Sequence, residues 1–171
     1  MIKDVRVGHG YDVHAFANDH DDCQSEQDAG DGLVLGGVTI PFEKRLLAHS
    51  DGDVVIHALC DALLGALALG DIGSHFPDSD PQYKNMNSRR LLCDVIALIQ
   101  RHSFNVGNLN ITVVAQRPRL APHISAMQEN LAADCGLERG RVSVKATTTE
   151  KLGFAGQELG IACYASVLLF Q

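Results

Sequence analysis

Residues 53–69 read DVVIHALCDALLGALAL, and this stretch constrains the fold more than any other. Its residue types favour a helix, yet a helix there has almost no polar face. A helix that is apolar all round is buried, with structure packed on every side. The rest of the chain must supply that surround. At 171 residues and 46% hydrophobic, it has the material for one core. A single domain over 1–171 is therefore expected. With no Trp and 5% aromatics, aliphatic side chains must fill it.

The same helix carries Asp53, His57 and Asp61, at i, i+4 and i+8. At 3.6 residues per turn these drift only about 40° per step, so they form one stripe. Ionisable groups on a buried helix need partners. A metal on His57 would supply one, with Asp53 as helix N-terminal charge and Asp61 orienting the second ring nitrogen. A hydrogen-bonded core histidine beside an aspartate would give the same stripe.

The surround reads as alternating short segments. Strands are expected over 5–13, 33–40, 110–115, 141–147 and 161–170, and helices over 88–102 and 124–135. Ser88 suits an N-cap and Gly136 a helix C-terminus. Residues 70–87, punctuated by Gly, Pro and Asp, read as a loop or lid at a site. Strands separated by helices predict an α/β (α+β) sandwich, with a mixed sheet and helices packed on one face. The first two strands look like a hairpin whose loop is residues 18–32. That insert is rich in Asp, has no Lys or Arg, and reads as a solvated surface loop.

The formal net charge of −7 at pH 7 argues against a nonspecific nucleic-acid or anionic-membrane partner. No apolar run reaches the roughly 18–20 residues of a membrane span. Met1-Ile2-Lys3-Asp4 lacks the apolar core of a signal peptide. The five cysteines, with no C-x-x-C among them, read as reduced thiols in a cytoplasmic protein.

Five further clusters carry polar chemistry. In Asp12-Val13-His14, strand periodicity points Asp12 and His14 to one side. With His57 they make one carboxylate and two imidazoles, the ligand set of an open catalytic metal site. Non-haem iron(II) uses the same set; zinc is favoured because the neighbouring motifs suggest phosphate. His49-Ser50-Asp51-Gly52 lies at the start of the buried helix, where exposed backbone N–H groups suit a phosphate. The polar segment 71–80 and the turn 115–122, with Arg117 and Arg119 bracketed by Pro, are loops that also suit a substrate. Thr147, Thr148, Thr149 and Glu150 end a strand, with hydroxyls for phosphate and a carboxylate for a hard cation. A Thr run is also ordinary strand composition.

Together these stretches resemble the 2-C-methyl-D-erythritol 2,4-cyclodiphosphate synthase family of the non-mevalonate isoprenoid pathway. The matching segments are GHGYDVHAF (8–16), LLAHSDGDVVIHALCDALLGALALGDIG (46–73), FPDSD (76–80), AQRPRLAPHI (115–124) and VKATTTEKLGF (144–154). The resemblance implies a CMP-forming phosphorus–oxygen lyase acting on 4-diphosphocytidyl-2-C-methyl-D-erythritol 2-phosphate. It implies Zn²⁺ on Asp12, His14 and His57, and Mg²⁺ or Mn²⁺ at the diphosphate with Glu150. It gives His49 and Thr148 to transition-state stabilisation. Substrate contacts fall on Ser50, Asp71, Gly73, Phe76, Asp80, Ala115, Pro118, Arg119, Leu120, Ala121, Thr147, Thr149 and Phe154. It further implies a homotrimer with active sites between subunits. Gln157 and Leu159 stand where some members carry Arg and Glu lining a central channel. A zinc phosphodiesterase or pyrophosphatase, and a metal-stabilised binding module, are the competing readings.

Overall fold

The computed structural model describes residues 3–17, 32–48, 50–77 and 86–171. Residues 18–31 of the 18–32 insert, Cys23 among them, lie outside these, as do His49 and Asp80. Four strands form one mixed sheet: β1 (Val5–Ala15), β4 (Asn105–Val114), β5 (Val142–Thr147) and β6 (Gly160–Phe170). Their order is β1-β6-β4-β5. β6 runs antiparallel to both β1 and β4, and β4 is parallel to β5. β2 (Leu33–Leu35) and β3 (Val38–Ile40) make a separate two-stranded ribbon.

The expected hairpin between the first two strand segments is thus corrected. β1 pairs over its whole length with β6, from Val5 opposite Phe170 to Ala15 opposite Gly160. The 33–40 run folds back on itself instead. Gly36 and Gly37 take positive φ values of 56° and 68° and supply its tight turn.

The buried helix is α1 (Val54–Ala66), whose apolar residues are almost all inaccessible. It packs on β1 and β6 on one side and on α3 (Ser88–Arg101) on the other. α4 (Ile124–Cys135) covers β5 and ends at left-handed Gly136, as the sequence predicts. α2 (Ile72–His75) and α5 (Gly153–Gly156) are single turns within loops. Of the two long helices beside α1, α3 has its apolar row Leu91, Leu92, Val95, Ile96 and Ile99 turned inward.

Gly8 and Gly10 decide how closely α1 sits on the sheet. Both point inward from β1. A Cβ on Gly10 would lie 2.0 Å from the Ala58 carbonyl oxygen, and one on Gly8 1.8 Å from that of Ala62. Strand backbone therefore lies directly against helix backbone. The next two inward positions of β1 are Asp12 and His14, so the close approach brings them to His57 on α1.

The other face of the sheet has no helix against it among the described residues. Val5, Val7, Tyr11, Val13 and Tyr164 stand exposed there, Val7 at 73%. No described helix is long and apolar enough to cross a membrane. Cys60, Cys135 and Cys163 are buried free thiols and Cys93 an exposed one. Burial pushes the Cys135 thiol up to about 12, which keeps it protonated.

Candidate metal centre and its surroundings

Asp12 and His14 share one side of β1, as strand periodicity predicts, and they converge with His57 of α1. Asp12 Oδ2 lies 3.2 Å from His14 Nε2 and 3.1 Å from His57 Nδ1. The two ring nitrogens are 3.4 Å apart. Burial works to raise the Asp12 carboxyl, but the two adjacent imidazoles, which donate to it when protonated, outweigh it and hold it well below the usual carboxylate range.

Each ring is held from its far side. His14 Nδ1 is 2.9 Å from the Leu47 carbonyl oxygen, which can only accept. The neutral His14 ring therefore carries its lone pair on Nε2, toward Asp12. That carbonyl is in place because the segment after β3 runs back along the end of β1, with Leu47 N–H bonded to Ala15 O at 2.8 Å. His57 Nε2 faces Ser88 Oγ at 3.0 Å and Ser50 Oγ at 3.3 Å. One carboxylate oxygen and two imidazole nitrogens thus meet within a few ångströms. This donor set fits a divalent cation with open positions left for a ligand.

Two expectations are corrected, one about this helix stripe and one about the start of α3. Asp61 does not orient His57. Its Oδ1 accepts from Ile72 N–H at 2.8 Å and so anchors the start of α2. Ser88 is not the N-cap of α3. Asn87 is, with its side chain accepting from Arg89 N–H, while Ser88 is wholly buried and turned toward His57. Asp53 is the N-cap of α1, as its charge suggested, but it does more. It accepts from Val55 and Ile56 within the helix and from Gly36 and Gly37 in the β2–β3 turn, at 2.7–3.1 Å. Burial pushes its carboxyl up to about 6, against the pull of these amide donors.

Sequence reasoning missed Ser88 and Asp51. Ser88 donates its hydroxyl proton to Asp51 Oδ1 and its N–H to Oδ2, the latter at 2.9 Å. These contacts span 37 residues, and no local spacing reports them.

The remaining predicted residues fall into two groups. Ser50 lies beside the candidate triad, its Oγ 3.3 Å from His57 Nε2, and Asp71, Gly73 and Phe76 lie in and around α2, which packs on α1. Asp71 caps α2 through Ser74 N–H at 2.8 Å. The second group lies at the ends of β4 and β5. Ala115 N–H bonds Thr147 O at 3.0 Å, which joins the 115–121 turn to the threonine run. Thr148 Oγ1 donates to Glu150 Oε1 at 3.1 Å. Glu150 and Lys151 both take positive φ, 52° and 67°, a strained conformation of the kind that clusters at functional loops. Thr147, Thr148, Glu150, Arg119, Ala121 and Phe154 are exposed, whereas the Ala115 and Leu120 side chains are buried. Arg117 is engaged with Glu43 at 2.9 Å and lies over the Phe42 ring, leaving Arg119 as the more open cation of that turn.

The structure does not bring the two groups together within one chain. β1 and β5 are the outer strands, with β6 and β4 between them. At roughly 4.8 Å per strand the triad and the Thr147–Glu150 loop are on the order of 14 Å apart. A cleft of about 620 Å³ opens at the other end of β5, beside Asn108, Arg139, Arg141 and Ser143, and holds none of the predicted residues.

A model of the YgbB family matches residues 5–170, nearly the whole chain. The chain belongs to the YgbB family. Relatives of this YgbB chain are named 2-C-methyl-D-erythritol 2,4-cyclodiphosphate synthase. The protein of Pseudoalteromonas atlantica is 58% identical over 165 residues, 96% of this chain and 95% of its own. That of Thioalkalivibrio sulfidiphilus is 57% identical over 168 residues, 98% of each. Among solved structures, the bifunctional IspDF of Campylobacter jejuni superposes with a TM-score of 0.88 at 42% identity. The match covers 99% of this chain and 43% of that longer one. The IspF of Plasmodium falciparum, solved as a CDP complex, gives 0.80 at 34% identity, over 97% of this chain and 96% of its own. These YgbB structures share the mixed α/β architecture.

Proposed function

We propose that this chain converts 4-diphosphocytidyl-2-C-methyl-D-erythritol 2-phosphate to 2-C-methyl-D-erythritol 2,4-cyclodiphosphate and CMP, in isoprenoid precursor synthesis. The observation that carries this reading is the triad itself. Asp12, His14 and His57 turn donor atoms toward one point, in a chain more than half identical to proteins named for that reaction. The activity is that of a phosphorus–oxygen lyase. The 2-phosphate attacks the β-phosphorus, the bond to the CMP phosphate breaks, and the ring closes. The nucleophile is already an anion, so the protein needs no strong base. Positioning and charge stabilisation carry the rate.

Asp12, His14 and His57 would hold Zn²⁺, and Glu150 would serve Mg²⁺ or Mn²⁺ at the diphosphate. Such cations, when bound, polarise phosphoryl oxygens and offset developing charge. The chain's own groups do the rest. Ser50 and Thr148 offer hydroxyl donors to phosphate, and His49 and Thr148 stabilise the transition state. Asp71 and Gly73 hold the erythritol part, with Phe76 and Asp80 on the flanking loop. Ala115, Pro118, Arg119, Leu120, Ala121, Thr147 and Thr149 form the cytidine and phosphate pocket, with Leu120 and Ala115 contributing backbone because their side chains are buried. Phe154 borders it.

Because β6 and β4 separate the Thr147–Glu150 loop from the triad, the site is read as lying between subunits of a homotrimer. The uncovered sheet face, with Val7, Tyr11 and Tyr164 exposed, is the surface through which copies would associate. We read the chain as one domain, 1–171, with 18–32 as a surface insert, acting in the cytoplasm without nucleic-acid or membrane partners.

Phosphorus NMR of the purified protein with the diphosphocytidyl substrate, Mg²⁺ and trace Zn²⁺ tests the reading. CMP appearing together with a cyclic diphosphate is expected. CMP with a linear phosphate product would make water the nucleophile and the protein a hydrolase. Unchanged substrate with metal bound would leave a binding module.

A further inference from the structure

We propose that Asp51 and Ser88 are positioning residues that fix the tautomer and aim of His57, so that the metal affinity of the centre depends on a hydrogen-bond chain outside the ligand set. The proposal rests on reading Asp12, His14 and His57 as a divalent metal centre.

The argument follows the protons. A serine hydroxyl has one proton to donate and two lone pairs to accept with. Ser88 is fully buried, so the groups packed around it decide where its proton goes. That proton goes to Asp51 Oδ1. Asp51 also receives Ser88 N–H at 2.9 Å and faces Asp53 N–H at 3.4 Å. Three donors converge on this carboxylate, and it acts only as an acceptor. Ser88 Oγ therefore meets His57 Nε2, 3.0 Å away, with a lone pair. The ring must carry its proton on Nε2. Ser50 Oγ, 3.3 Å from the same nitrogen and itself accepting from Gly52 N–H, keeps a second lone pair that can accept from it. The neutral His57 ring then has its lone pair on Nδ1, the atom that faces Asp12 and His14.

The alternative tautomer has a local attraction of its own. With its proton on Nδ1, His57 would donate to Asp12 Oδ2 across 3.1 Å. That bond would occupy both donor atoms a cation needs. Asp51 and Ser88 oppose it, because the same switch would turn a bare Nε2 toward the lone pairs of Ser88. One end of this chain is the turn before α1. The other is the first residue of α3, so the packing of α3 on α1 sets the aim of His57.

Two variants and one spectrum test this. Asp51→Asn is nearly isosteric, but its amide can donate to Ser88 Oγ. The serine proton is then released toward Nε2, and Nδ1–H toward Asp12 becomes favoured. Ser88→Ala removes the acceptor altogether. Nitrogen–proton correlation spectra of ¹⁵N-histidine-labelled apo protein at alkaline pH, with His57 assigned through His57→Gln, report the tautomer directly. We expect Nε2–H in the wild type and a shift to Nδ1–H in Asp51→Asn. Zinc affinity, from competition with a chromophoric chelator, should fall about 10- to 100-fold in both variants, as for other partners of metal-bound histidines. A merely structural role would lower the melting temperature and leave the tautomer alone. Wild-type protein that binds zinc but carries Nδ1–H in its apo form overturns the proposal, as does folded Asp51→Asn with wild-type zinc affinity. Where a variant does not fold, the wild-type spectrum decides by itself. A wild-type chain that takes up no zinc sinks the metal reading, and this proposal with it.

Discussion

At the scale of single residues, the candidate centre separates side chains that turn donor atoms to one point from side chains that only neighbour them. His57 and Asp61 sit one turn apart on α1, and the sequence pattern alone treats them as a unit. The structure gives them different work. His57→Ala removes one of three converging donors. Stoichiometric zinc and most turnover should be lost, and a purified variant that retains one zinc per chain would refute the ligand assignment. Asp61→Ala instead leaves the Ile72 N–H at the start of α2 without its acceptor. Zinc content should stay at the wild-type level while the Michaelis constant rises several-fold, since Asp71 and Gly73 belong to that turn. Zinc loss in Asp61→Ala would show that the carboxylate reaches His57 after all. Asp12 and His14 were legible because a strand repeats every two residues. Ser88 was not, because its role is set by a contact to a loop 37 residues earlier.

At the scale of elements, the geometry of the centre is a consequence of how near α1 lies to β1. Gly10→Ala puts a methyl group where the Ala58 carbonyl oxygen and the Ala62 amide nitrogen now sit, 2.0 and 2.6 Å from it. The helix has to move outward, and overpacking of this kind costs roughly 1–3 kcal/mol. It also carries His57 away from Asp12 and His14. The variant should therefore lose zinc affinity more than tenfold in addition to stability. A stability loss with unchanged zinc affinity would show that the strand, not the helix, yields. Asp53 ties α1 to the β2–β3 turn. Asp53→Ala removes a helix cap, worth about 1 kcal/mol, and leaves buried amides of the turn unpaired, at roughly 1–3 kcal/mol each. A Tm lower by about 10 °C is expected from calorimetry for a domain of this size, and a change under 2–3 °C, roughly 1 kcal/mol, would mean that the turn finds other acceptors. Helices α1, α3 and α4 were readable because their signals are local: helix-favouring apolar residues in α1, an apolar row in α3 and the closing Gly136 of α4. The pairing of β1 was not, since Val5 meets Phe170 at the far end of the chain. The Gly36-Gly37 pair between LVL and VTI was the available hairpin signal, and it marks a turn inside what read as one strand.

At the scale of the whole molecule, the two halves of the predicted site raise a question that one chain does not answer. The triad stands on β1 and α1, and the Thr147–Glu150 loop stands beyond β6 and β4. The sheet face turned away from α1 carries exposed Val5, Val7, Tyr11 and Tyr164, with no helix against it among the described residues. An apolar face of this kind marks an interaction surface, and association through it offers a way to bring a loop of one copy to the triad of the next. Val7→Asp discriminates. Val7 is 73% exposed in the single chain, so a charge there should change the stability of an isolated monomer by no more than about 0.5 kcal/mol. Buried between copies, the same carboxylate would have no partner and association would fail. Light scattering should give about 55 kDa for the wild type, three chains of 18.4 kDa, and the single-chain mass for the variant. The variant should still bind zinc, because all three ligands come from one chain, yet show no turnover, because Thr148 and Glu150 are then too far away. A wild-type enzyme that is active at the monomer mass would sink the trimer. Zinc retained with turnover lost, in a folded monomer, is the signature of an active site divided between subunits, and neither a metal defect nor a folding defect produces that pair of results.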